Sequence, residues 1–277
     1  MKIKYLLFFI CLFGTISISN VQSSIAGGSC NVLGLIQTDT IWDSGSCNPY
    51  IVTGNVIVDE GVTLTIMPGT TIQFDIDTGM TIQGTLVARG NSSQLITFTS
   101  NQSSPSPGNW DSIRFENPSV DAVLGSGISY QSGSIIQYAQ IEYATNGIIL
   151  EVAFPLIDNN IVQSNLNRGI YADLENFSPS AQEILFITNN DILNNGLMSD
   201  NNVRGGGIYS YRGDVRILDN MISGNRAELH GGGIYLDHRF GGYSIIQGNT
   251  ITNNFTSDTI AISHGGGIFT DNGRVEI

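Results

Sequence analysis

The sequence predicts an all-β solenoid, a chain wound into stacked coils of short strands. Three observations carry this. Gly accounts for 33 of 277 residues while only 13% of the chain is charged, a turn-rich composition with little helical character. Four segments repeat: "IDNNIVQSN" from Ile157, "ITNNDILNN" from Ile187, "ILDNMISGN" from Ile217 and "IQGNTITNN" from Ile246. A glycine motif repeats with them: "RGIYAD", "GGGIYSY", "GGGIYLD" and "GGGIFTD". Each Asn-x-Ile copy has its Asn at 159, 190, 220 or 249, giving steps of 31, 30 and 29 residues. A second Asn follows five places later at Asn195, Asn225 and Asn254, with Ser164 in that place in the first copy and Asn165 beside it. The glycine steps are 38, 26 and 34, so length varies between the two motifs. Fixed strands with insertions at a corner are the mark of a solenoid, and one such coil buries its apolar face only by stacking on the next.

Taken in order, residues 1–23 read as a signal peptide. Lys2 and Lys4 precede an apolar run, Tyr5 to Ile16, too short to span a bilayer as a helix. No later segment has the composition of a transmembrane helix. Export to an oxidising compartment leaves Cys30 and Cys47 as a disulfide candidate closing the first loop, within an N-terminal cap segment over 24–50. The solenoid proper is expected over 51–277. In "IVTGNVIVDEGVTLTIMPGTTIQFDIDTGMTIQGTLVARG", Val56, Val58, Leu64, Ile66, Ile72, Phe74, Met80, Ile82, Leu86 and Ala88 alternate with polar residues or turns, as half-buried strands do. "FDID" places Asp75 and Asp77 on one side of a strand, a solvated pair in the plainest reading. "GRVEI" starts a further strand with no polar cap after it, so the solenoid reads as truncated at its C-terminus.

Here the sequence resembles a known family. "VTGNVIVDEGVTLTIMPGTTIQF", followed by "LVARG", "ITFTS" and "GNWDSIRF", resembles the N-terminal coils of secreted bacterial right-handed parallel β-helix proteins of the pectin-lyase-like superfamily. The later Asn-x-Ile and GGGIY units look like that superfamily's β-helix repeats. The resemblance implies a right-handed parallel β-helix, secreted or on the cell surface, in a family that includes polysaccharide lyases, hydrolases, epimerases, tailspikes and adhesins. Fold does not choose among them. It also implies that the recurring Asn are structural.

The charge narrows the partners. Beyond residue 23 there are 24 acids against 9 bases, a net of −15, which disfavours nucleic acid and leaves carboxylates for Ca²⁺. The glycine trio needs no ligand, since a sharp corner asks for positive φ and close backbone approach. Around it, Arg204, His230 and His264 should form one column. Asp173, Tyr211, Asp237 and Asp271 should form another, and Tyr209, Tyr235 and Phe269 a third that suits sugar stacking. His230, Asp237, His264 and Asp271 are therefore the candidate ligand-binding residues, with Asp237 and Asp271 the candidates for a metal. His238 and Arg239 lie beside them. Solvated side chains copied by the repeat would give the same pattern. Asn91, Asn101, Asn176 and Asn254 begin glycosylation sequons. No zinc spacing, nucleophile elbow or phosphate loop occurs. The chain also lacks the "NTD", "DD" or "RIK"-like signatures of the pectin hydrolases. The expectation is a secreted or cell-surface module that binds polysaccharide or another surface, with a polysaccharide lyase or hydrolase as the alternative.

Overall fold

The computed structural model describes residues 28–175, 183–197, 203–238, 242–257 and 264–277. The expected signal peptide, Arg239 and the Asn176 sequon lie outside them. The described chain is a parallel β-helix of three faces. The first face is a nine-stranded sheet running from Thr40–Trp42 through Thr63–Ile66, Thr85–Arg89, Ile135–Gln137, Leu156–Asp158, Ile184–Thr188, Asp214–Leu218 and Tyr243–Gln247 to Arg274–Glu276. The other two faces share the long strand Tyr50–Val58. Its first residues pair with Thr71–Phe74 and start the second face, and its last residues pair with Met80–Ile82 and start the third. The second face ends at Thr250–Thr252 and the third at Ile268–Asp271.

The core follows from the alternation. All ten apolar residues picked out above between Val56 and Ala88 are at most 1% exposed. Phe74 stacks on Trp110 at 4.1 Å inside the helix, and Trp42 stacks on Tyr50 at 4.9 Å near its N-terminal end. The cap segment expected over 24–50 contributes two strands to the stack. Cys30–Ile36 lies parallel on Tyr50–Val58, and Thr40–Trp42 opens the first face. A disulfide joins Cys30 to Cys47. Asp75 and Asp77 do not share a strand face. Strand Thr71–Phe74 stops before both, Asp75 accepts from Asn101 Nδ2 at 2.8 Å, and Asp77 takes a left-handed turn conformation.

The corners correct the repeat register. The column at the corner between first and second faces is Asn160, Asn190, Asn220 and Asn249, not one beginning at Asn159. The column between second and third faces is Asn165, Asn195, Asn225 and Asn254, not one beginning at Ser164. Both columns therefore step by 30, 30 and 29 residues. The sequence offers two adjacent candidates, and conformation decides between them. Asn159 and Ser164 hold the left-handed place at φ 57° and 54°, as Asn189 and Asn194 do one coil on. The following Asn then turns inward. In each column the side-chain carbonyl accepts the backbone N–H and the side-chain amide of the Asn one coil earlier, and the side-chain amide also donates to a strand carbonyl. The Asn254 sequon is thus occupied by structure, its side chain donating to the Ile222 carbonyl at 2.7 Å.

Candidate functional site

The third face gathers the predicted residues because parallel pairing in register copies each position onto the next coil. Tyr171, Tyr209, Tyr235 and Phe269 are direct register partners on successive strands. Glu151, Asp173, Tyr211, Asp237 and Asp271 form a second line two residues further along. His230 and His264 form a parallel bridge, and Gly205 N–H donates to the His230 carbonyl, which puts Arg204 one coil before them. Three columns therefore run side by side: basic and imidazole, aromatic, and mostly carboxylate.

The glycine trios make this approach feasible. Gly205, the first of its trio, has φ 62°, which a side chain adopts only with strain. Gly206 has ordinary φ, but a Cβ there would occupy the space of the Arg226 carbonyl oxygen. The Ile that follows each trio turns inward, with Ile208 and Ile234 fully buried.

The aromatic column is a continuous stack. Ring centroids lie 5.3 Å apart for Tyr171 and Tyr209, 5.0 Å for Tyr209 and Tyr235, and 5.4 Å for Tyr235 and Phe269. The rings do not form an open platform along their whole length: Tyr235 is only 3% exposed, while Tyr171, Tyr209 and Phe269 are half-buried. Burial raises the phenol pKa of Tyr171 and Tyr209, and the nearby Asp173 and Asp237 carboxylates respectively add to it.

The basic column lies against these rings. His230 stacks on Phe269 at 4.5 Å and on His264 at 5.5 Å, and the Arg204 guanidinium sits 5.9 Å over Tyr235. Arg204 Nε and His230 Nδ1 are buried atoms without a hydrogen-bond partner among the described residues. Burial lowers the His230 pKa, Arg204 and His264 lower it further, and Asp271 opposes them. Arg168, which the repeat alignment does not single out, belongs here too. Its Nε donates to the Arg204 carbonyl at 2.8 Å and its guanidinium lies 5.2 Å over both Tyr171 and Tyr209. The signal for it is in "RGIYAD", where Arg168 stands in register with Gly206, inside the next coil's trio and two residues past the place of Arg204.

The four candidates separate by exposure. His264 is exposed and His230 and Asp271 are half-buried, but Asp237 is fully buried. Asp237 and Asp271 are register neighbours, yet Ca²⁺ takes about six to eight oxygens, and no group of three or more His, Cys, Asp or Glu among the described residues is placed to hold a metal. His238, next to Asp237, turns inward and shares a 3.0 Å hydrogen bond with Ser244. It is a core residue at the corner and not part of the surface.

The fold class is thus a parallel β-helix of stacked three-strand coils. Within it, residues 34–115, less than a third of the chain, match the family model described as Pectate-lyase like beta helix domain. No curated protein and no solved structure matches the chain.

Proposed function

We propose that this protein is a secreted or cell-surface β-helix module that holds a polysaccharide along the third face of its C-terminal coils. The observation that carries this reading is the side-by-side register of the cation column and the aromatic column. Aromatic rings offer stacking surface to sugar rings, and guanidinium and imidazole groups beside them donate hydrogen bonds to hydroxyls or acids. The columns repeat once per coil, about 4.8 Å, so the face presents recurring contacts along a line, with Tyr171, Tyr209 and Phe269 partly open and Tyr235 buried between them, which suits a polymer better than a small molecule. Among the described residues no helix is long and apolar enough to cross a membrane.

A polysaccharide lyase or glycoside hydrolase is the second reading, favoured by the matched domain and by the register of Asp237 and Asp271. The burial of Asp237 counts against it, because a carboxylate acting on substrate must reach it. One experiment separates the two. The purified protein is incubated with pectin, alginate and other polysaccharides, with and without Ca²⁺, while unsaturated products and new reducing ends are followed and retention on immobilised polysaccharide is measured. Retention without cleavage is expected. Cleavage lost in Asp271→Asn would replace the binding reading with the enzymatic one, and neither retention nor cleavage would remove both.

A further inference from the structure

The N-terminal end of the β-helix differs from the rest of its surface. The first described coil is Cys30–Ile36 with Thr40–Trp42, and each of these strands is paired on one side only among the described residues. Cys30–Ile36 turns at Gly34, φ 85°, so its first residues lie on the second face and its last on the third. Each of the three faces therefore ends in unpaired backbone N–H and C=O groups that point along the helix axis. Charge and Pro commonly protect such an edge, and Gly28–Thr38, eleven residues, contain neither. Leu33, Leu35 and Ile41 are 68%, 49% and 64% exposed. The inward Val32 and Ile36 are only partly buried, beside a cavity of about 280 Å³ that Trp42 and Val56 also line. The nearest acids, Asp39 and Asp43, accept backbone N–H groups of the chain itself, from Thr63 in the first case and from Gly45 and Ser46 in the second.

We infer that this end docks a second copy of the same chain, the two molecules meeting head to head about a two-fold axis. Charge selects the occupant. In a two-fold interface each patch meets itself, so a charged patch repels its own copy. Beyond residue 23 the chain carries a net of −15, yet the strands of this coil are uncharged. A basic partner would find no acid on them, and an acidic partner no base. The backbone supplies the complementarity. Turning one helix over reverses its winding, so all three free edges meet those of the copy antiparallel and can pair. A two-fold through the Leu33–Gly34 corner and through Ile41, the middle residue of Thr40–Trp42, pairs the first face with itself and the second with the third. It sets Leu33 and Ile41 each beside its own copy, about 4.8 Å away as in any stacked pair of strands, and closes the two cavities against each other. Edges of three residues, about 10 Å each, offer less than the roughly 800 Å² per partner of a standard interface, so the dimer should be reversible, in about the micromolar range. The aromatic and cation columns lie in the C-terminal coils, so the dimer leaves them open and carries two sets of them.

The test is sedimentation velocity on the full chain without its expected signal peptide, from about 1 μM to about 300 μM. A monomer passing to a dimer and no further is expected. Leu33→Glu should weaken the dimer by roughly a hundredfold or more, because each new carboxylate faces its own copy, and Leu33→Lys should do the same. An equal mixture of the two variants should dimerise again, since opposite charges then meet across the two-fold. Leu33 is largely exposed, and an unchanged urea midpoint in both variants checks that the fold is kept. Ile76→Glu, at an exposed apolar residue outside the first coil, should leave the dimer as it is. A monomer at every concentration overturns the inference. So does growth beyond the dimer, which a head-to-tail contact would give. A dimer that survives Leu33→Glu, or a mixture that stays monomeric while each variant is folded, overturns it as well.

Discussion

The two ends of this β-helix close their corners in different ways. In the N-terminal coils the buried Thr70 and Thr78 hydroxyls donate to carbonyls three residues back, Met67 and Asp75, and the ties between coils are isolated ones: Thr78 to the Val52 carbonyl, and the Asn48 and Asn55 side chains accepting from the Thr71 and Gly79 N–H groups. From Ala139 onward the corners are Asn columns, and each side chain bonds to the coil before and the coil after. The outer surface changes with the corners. In the third-face column the N-terminal positions are Ile57, Thr81 and Arg114, and the C-terminal ones are Tyr171, Tyr209, Tyr235 and Phe269. Long-range ties at the corners hold successive coils to a constant spacing and register. A surface that works by repeating one side chain per coil depends on that constancy, and a continuous amide column imposes it more fully than isolated ties between coils do.

The sharpest break of this comparison is Asn195→Ala. It strips the acceptor from the Asn165 N–H and side-chain amide and the donor from the Val162 carbonyl. Each buried group left unpaired costs about 1–3 kcal/mol, so a loss near 4 kcal/mol is expected, against about 1 kcal/mol for Thr70→Val. Urea unfolding followed by circular dichroism measures both, and equal losses would mean the columns do not couple coils. Gly206→Ala comes next, at roughly 3 kcal/mol, because the Arg226 backbone must move. Gly61, also positive in φ but with open space where its Cβ would go, should cost only about 1–2 kcal/mol as Ala. Third, Tyr209→Ala should weaken polysaccharide retention roughly tenfold, in the range of one stacked ring removed, while Thr81→Ala, at the matching place in the N-terminal coils, leaves it unchanged. Equal weakening by both would detach binding from the C-terminal columns.

Much of this was legible in the sequence because parallel stacking leaves a simple trace. Strand alternation identified the ten core residues from Val56 to Ala88 without error, since period-two burial depends on nothing beyond the strand itself. The column at His230 followed from its fixed place just before each glycine trio, and the column at Asp237 from equal spacing after it. The register of the Asn columns was one residue off in the first copy because Asn159–Asn160 and Ser164–Asn165 each present two polar residues, and only backbone conformation shows which one turns in. Exposure was the least legible property. Asp237 and Tyr235 repeat like surface positions, yet both are buried. His238 follows two candidate surface residues in sequence but faces the core, where the chain bends at the corner.

His238 gives the smallest effect and the most specific one. It occupies the corner place that Leu174, a buried apolar residue, holds two coils earlier, since Asp173, Tyr211 and Asp237 are register partners and each is followed by this position. Burial lowers its pKa, and the carboxylates of Asp214 and Asp237 only partly oppose this. The folded chain therefore holds His238 neutral at a pH where the unfolded chain, with an imidazole pKa near 6.5, already binds a proton. Above that value both states are neutral and stability does not depend on this group. As pH falls below it, the unfolded state takes up protons first and stability declines until the lower folded pKa is reached. The half-buried His230 acts in the same direction. Between about pH 7.5 and pH 5.5 the wild-type unfolding midpoint should drop by an amount equivalent to about 1 kcal/mol or less, and His238→Leu should remove a large part of that drop, with His230→Gln removing another part. An unaltered pH slope in His238→Leu would show that its ring is solvated in solution.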